Sequence, residues 1–178
     1  GEKKALSDLA AKNALQILEE RWARIAGKEE LARRGLEELA FYLGLPAPPA
    51  RMECYDISNT SGTYAVGSMV VFHDGVPARD NYRRFKIKWV EGPNDFASLH
   101  EVLSRRFSAL KEGKERFAHV PDLVVVDGGK GQLGAAEDAL RQEGIFDVPL
   151  ISLAKAEELV FLPKQQEPLR LPQDSQAR

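Results

Sequence analysis

Cysteine is nearly absent from this sequence: Cys54 is the one thiol in 178 residues. A lone thiol excludes an internal disulfide framework and suits a reducing cytoplasm. Long hydrophobic runs are missing as well. None approaches the roughly 20 apolar residues of a membrane-spanning helix, and the first residues do not read as a signal peptide. Charge of one sign is also lacking, since 25 Lys and Arg against 27 Asp and Glu leave a net −2. A pI near 6.0 therefore gives no global sign of nucleic-acid binding. With 43% hydrophobic and 29% charged residues, the chain is neither disordered nor membrane-embedded in character. Its length predicts one domain with a small appendage. Gly1 at the start and the polar LPQDSQAR at the end read as an excised piece of a longer protein.

What is present centres on Pro121–Gly134, PDLVVVDGGKGQLG. Leu123–Val126 is a near-continuous apolar run, the pattern of a strand buried on both faces. Asp127 stands at its end, followed at once by Gly128, Gly129, Lys130 and Gly131. Leu133, Ala136 and Leu140 then recur at helical spacing. A charged group at the carboxyl end of a buried strand, under a glycine turn, is where open α/β sheets place ligands. Two chemistries fit. Gly129, Gly131 and Gly134 match the dinucleotide pattern G-x-G-x-x-G, but Asp127 would set a negative charge beside the phosphates. Too little chain follows for a second nucleotide half. The other chemistry makes Asp127 a metal ligand, which requires a second carboxylate from a neighbouring strand.

Taken in order, residues 4–43 read as helical, with one apolar stripe through Ala14, Leu18, Trp22 and Ile25. Gly27 is expected to interrupt it before a second stripe from Ala32 to Leu43, which Gly44 and Pro46 stop. Pro46–Pro49 reads as a stiff linker, so residues 1–49 form a helical arm and 50–178 the main domain. Met52–Ile57 reads as the first strand. Met52, Cys54 and Asp56 share one of its faces, and Glu53, Tyr55 and Ile57 the other. A turn is expected over Ser58–Gly62, a second strand over Ala65–Phe72, an Asp-Gly hairpin turn at Asp74-Gly75, and a third strand over Tyr82–Trp89. That third strand sets Tyr82, Arg84, Lys86 and Lys88 on one face and Phe85, Ile87 and Trp89 on the other. Cations beside an aromatic group can pair with phosphates and stack on bases, although a charged edge strand also guards against aggregation. Phe96, Leu99, Leu103, Phe107 and Leu110 then form a helical stripe with Asp95 in the first turn, a position acids favour for capping alone. Val148–Leu153 reads as a further strand with Lys155 at its carboxyl end, and Leu159–Leu162 with Leu169–Leu171 as a small hairpin.

This order, β-β-β-α-β-α-β, predicts a mixed five-stranded α/β sheet flanked by helices. The first strand is central, with the fourth parallel beside it through a right-handed crossover. Asp56 and Asp127 then meet across adjacent strands. Two such carboxylates repel unless a cation neutralises them, and their hard oxygens suit Mg²⁺ or Mn²⁺. A metal site between a basic strand and a glycine-rich turn points to phosphodiester hydrolysis.

Several segments together resemble the C-terminal endonuclease domain of UvrC, the incision subunit of bacterial nucleotide excision repair. They are Arg51–Ser58 (RMECYDIS), Tyr82–Phe85 (YRRF), Asn94–Ala97 (NDFA) with Arg105-Arg106, Val126–Leu133 (VDGGKGQL) and Leu153–Lys155 (LAK). Leu9-Ala10 and Lys12–Ala14 also look like the segment preceding that domain. The resemblance implies an RNase H-like fold and metal-dependent incision of damaged double-stranded DNA on the 5′ side of a lesion, with UvrB as partner. It carries the family's catalytic aspartates onto Asp56, Asp95 and Asp127. Asp56 and Asp127 are then expected as the Mg²⁺ or Mn²⁺ ligands, and Arg84, Lys86, Lys130 and Lys155 as DNA contacts. The family's active site also uses a histidine on a helix beyond the point where this chain stops, and His73, His100 and His119 do not occupy that motif. The family's helix-hairpin-helix module and N-terminal GIY-YIG nuclease are likewise expected outside this segment, so the piece is expected to nick DNA poorly alone. An endonuclease V-like repair nuclease and a catalytically silent docking scaffold remain the alternatives.

Overall fold

The structure is a computed structural model that describes residues 1–60 and 64–178. Strand β1 (Arg51–Thr60) lies inside a mixed sheet, antiparallel to β2 (Tyr64–His73) on one side. On its other side it runs parallel to β5 (Leu123–Asp127). The sheet continues through β6 (Leu150–Ala154), parallel to β5, and ends on β7 (Leu159–Phe161), antiparallel to β6. Beyond β2, the short β3 (Val76–Pro77) and β4 (Arg83–Lys86) both pair with that strand at different levels. Among the described residues the sheet has seven strand segments: the five expected, β3 after the Asp74-Gly75 turn, and β7, the first arm of the expected small hairpin, whose Val160 bridges Leu169. Asp74 and Gly75 both take positive φ, the conformation a two-residue hairpin demands.

Helices α2 (Asp95–Lys111) and α3 (Lys130–Gln142) cover one face of the sheet. Leu99, Val102, Leu103 and Phe107 of α2 meet Tyr55, Met69, Val124 and Val126 of the strands. The near-continuous apolar run of β5 follows from burial on both sides, because Leu123 and Val125 face the opposite way. There they pack with Leu43, Ile151 and Val160, under the last turns of α1 (Glu2–Leu43).

Three expectations need correction. Helix α1 is continuous through Gly27. A solvent-exposed glycine costs a helix only about 1 kcal/mol relative to alanine, too little to break a segment flanked by good helix formers. The third strand is half its expected length, ending at Lys86 rather than Trp89. The backbone N–H groups of Lys88 and Trp89 turn away to donate to the buried Glu101 carboxylate, at 2.9 and 2.6 Å to its nearer oxygens. Trp89 is therefore exposed rather than on the apolar face. Lastly, Ser58, Asn59 and Thr60 continue β1 instead of turning, while Ser61 and Gly62 of that expected turn lie outside the described residues.

Candidate active site

The site is built at the carboxyl ends of β1 and β5. Their parallel register pairs Cys54 with Val125 and Tyr55 with Val126, so the next step aligns Asp56 with Asp127. Alternation puts both side chains on the face of Met52, Cys54, Leu123 and Val125. Asp127 lies close enough for its charge to act on Asp56. Asp56 reaches solvent, yet the protein about its base partly desolvates it. That effect and the negative charge of Asp127 raise its pKa above the ordinary range, against the opposing pull of Lys155 and the Ile57 N–H. Lys155 follows β6 immediately, and its Nζ lies 3.4 Å from Asp127 Oδ2. Among the described residues, no third His, Cys, Asp or Glu completes a metal-binding cluster with the pair.

The glycine turn after Asp127 is shaped by its neighbours. Gly128 has φ of 137°, and a Cβ there would collide with the Gln132 side chain. Gln132 folds back to accept from the Gly129 N–H at 3.0 Å, closing the first turn of α3. At Gly131 a Cβ would come within 2.6 Å of the Phe96 ring. The turn therefore needs small residues for close packing. Gly134, the third glycine of the dinucleotide pattern, faces open space.

Asp95 is the first residue of α2, after Asn94, whose side chain caps the helix by accepting from Ala97 N–H at 3.1 Å. Its Oδ1 accepts from Asn59 Nδ2 at 2.8 Å. Asn59 points to the α2 face of β1, so Asp95 stands beside the Asp56–Asp127 pair and not within it.

The basic residues divide. Arg84 is in register with Ser68, and Ser68 with Asp56. Arg84 therefore shares the face of the aspartates, two strands or about 10 Å across the sheet. Lys86 lies one pleat further along the same face, opposite Val66 and then Ser58. Both are exposed, as is Lys130 at the start of α3.

One group beneath the site has no counterpart among the expected residues. Glu53, with no solvent exposure, accepts from Arg106 Nε and Nη2 at 2.8 Å each, Tyr55 Oη at 2.6 Å and Arg51 Nε at 2.9 Å. Arg106 also donates to the carbonyls of Phe117 and His119. Burial disfavours the Glu53 charge, but these donors outweigh it and hold the carboxyl below its ordinary range. The signal was available: a glutamate on the buried face of a strand, beside Tyr55, has to find a cation.

Against known proteins, the model of the UvrC RNAse H endonuclease domain matches residues 40–178. The UvrABC system protein C of Moorella thermoacetica is 49% identical over 177 residues, covering 99% of this chain and 29% of that protein. That of Methanosarcina barkeri is 46% identical over 181 residues, covering 99% and 31%. This chain thus spans about three tenths of the length of such relatives. Among solved structures, Ciona intestinalis endonuclease V with an inosine-containing 24mer DNA aligns with a TM-score of 0.46 at 19% identity, over 84% of this chain and 62% of that one. Human ENDOV aligns with a TM-score of 0.46 at 17% identity, over 76% and 58%. With a family model matched from the end of α1 through the final residue, and near-half identity to its members along nearly every position, this chain belongs to the UvrC RNAse H endonuclease domain family.

Proposed function

We propose that this chain is the metal-dependent nuclease unit of a nucleotide excision repair protein, hydrolysing a phosphodiester of damaged double-stranded DNA on the 5′ side of the lesion. Within the intact protein it acts in the cytoplasm on DNA presented by UvrB. The observation that carries this reading is the Asp56–Asp127 pair, set side by side by the parallel register of β1 and β5 at the carboxyl ends of both strands.

The donor set fits a divalent ion. Hard carboxylate oxygens suit Mg²⁺ or Mn²⁺, and a cation would counter both the partial desolvation and the neighbouring Asp127 charge that raise the Asp56 pKa. Asp56 and Asp127 are the residues that would hold it. When bound, such an ion supplies a water nucleophile at neutral pH and stabilises the charge of an in-line displacement.

The chain's own residues do the rest. Arg84 and Lys86 present cations on the aspartates' face, suited to phosphates of one strand while the scissile phosphate lies over the pair. Lys130, above the glycine turn, suits a phosphate on the other flank. Asp95, tied to Asn59, fits a supporting place at the rim. Because two carboxylates with no adjacent histidine make a sparse donor set among the described residues, nicking by these 178 residues alone is expected to be slow.

The test is incision of an end-labelled duplex carrying one bulky adduct and loaded with UvrB. The intact protein is compared with its Asp56→Asn and Asp127→Asn forms in Mg²⁺ and Mn²⁺. Both substitutions should abolish 5′ incision while leaving the fold and UvrB binding intact. Full incision by either variant would defeat the reading.

A further inference from the structure

Lys155 is the one ion-pair partner of either aspartate among the described residues. Its Nζ sits 3.4 Å from Asp127 Oδ2, while its side chain remains two-thirds exposed and Asp127 about one-third. Because β6 runs parallel to β5 with Asp127 opposite Leu153, Lys155 projects over the same face one pleat further on. Its charge is felt as far as Cys54 and Asp56 on β1, where it favours the ionised form of each. The ammonium thus lies over the seam where the two strands bring their carboxylates together.

We propose that Lys155 is the resident counter-ion of Asp127, and that its transfer from Asp127 to a DNA phosphate couples DNA binding to metal binding. The inference rests on the two-carboxylate metal site proposed above. A divalent ion at the pair needs the Asp127 oxygens, one of which the ammonium faces at ion-pair distance, 3.4 Å. Two cations cannot share that oxygen without repulsion, so metal entry has to displace Lys155. Displaced, the ammonium is a strongly hydrated point charge with three donors on a flexible stem, and it needs an acceptor. A phosphate oxygen of a strand lying across the pair is such an acceptor. Phosphate contact then removes the competitor from Asp127 and raises metal affinity. By reciprocity of linked equilibria, metal raises DNA affinity by the same factor. The free protein would therefore hold metal weakly and complete its site on DNA.

The experiment is a calorimetric Mn²⁺ titration of the chain, with and without a saturating short DNA duplex, corrected for Mn²⁺ bound by the duplex alone. Lys155→Met is run beside the parent, with Lys155→Arg to retain the charge and Lys111→Met, on the far end of α2, as a control for charge loss in general. Without DNA, Lys155→Met should bind Mn²⁺ about fivefold or more tightly than the parent, the lower range of allosteric couplings. Duplex should tighten Mn²⁺ binding by the parent and by Lys155→Arg, but not by Lys155→Met. Lys111→Met should follow the parent. Equal or weaker Mn²⁺ affinity for Lys155→Met overturns the inference, as does an equal gain from DNA in the parent and that variant. If Asp56→Asn and Asp127→Asn lose Mn²⁺ while Lys155→Met is unchanged, the metal site stands and the coupling falls. If no form binds Mn²⁺, both fall.

Discussion

Glu53 illustrates how much a single buried carboxylate organises. Its two oxygens take donors from three side chains, and through Arg106 they tie β1 to α2 and to the loop carbonyls of Phe117 and His119. Removing Arg106 leaves the buried Glu53 charge with only the Arg51 ion pair and the Tyr55 hydroxyl, so Arg106→Met should cost about 3 kcal/mol, the lower end for breaking a buried pair. Urea denaturation followed by circular dichroism would measure this. Replacing all three charged members by apolar residues, as in Glu53→Leu with Arg106→Met and Arg51→Met, should recover a substantial part of the loss. The pH dependence has a definite sign. Glu53 is held below its ordinary value of 4.5 in the folded state. Its charge therefore stabilises the fold above that value, and this contribution disappears as pH falls from there through the depressed folded pKa. Glu53→Gln should be less stable at neutral pH and show a flatter stability profile across that acid window, measured by denaturation midpoints at a series of pH values.

At the scale of elements, what could be read from sequence was whatever local pattern dictates. The buried run Leu123–Val126, the Asp74-Gly75 turn and the stripe of α2 each appear where periodicity and turn chemistry put them. The misses have different causes, one a tertiary contact and one an overrated local signal. Strand β4 stops short because Glu101, on α2, captures the N–H groups that would continue it. Gly27 fails to break α1 because propensity is a weak penalty against a long helix. Accordingly, Gly27→Ala should raise the stability of α1 by about 1 kcal/mol, visible as later loss of helical signal on heating. Gly128→Ala should do the reverse. A Cβ is strained at its φ of 137° and meets Gln132 in the adjacent helix. A loss of about 1–3 kcal/mol is expected, together with weaker Mn²⁺ binding, because the same turn carries Asp127. Calorimetry on the refolded variant would register both.

For the molecule as a whole, the nearly balanced charge conceals a polarised face. Twenty-seven acids outnumber 25 bases, yet sheet register gathers Arg84, Lys86 and Lys155 on the side that carries Asp56 and Asp127. Composition could not reveal this, because pairing across β4, β2 and β1 brings together residues almost thirty positions apart. The alternation within each strand was readable, and so was the pairing of the two aspartates. What was not readable was that Arg84 stands on their level, two strands away, since register depends on how a hairpin closes. This distribution has a consequence for salt dependence. Each phosphate neutralised by a protein cation releases counterions and adds about 0.9 to the negative slope of log affinity against log salt. Arg84→Ala should therefore weaken duplex binding similarly for all sequences and reduce that slope by about one. Lys164→Ala, at the turn beyond β7 on the opposite end of the sheet, should leave the slope unchanged. Fluorescence anisotropy of a labelled duplex across a salt series separates the two. An unchanged slope for Arg84→Ala would mean that the DNA path avoids β4, and the track of phosphates would then have to run along Lys130 and the α3 side of the aspartates.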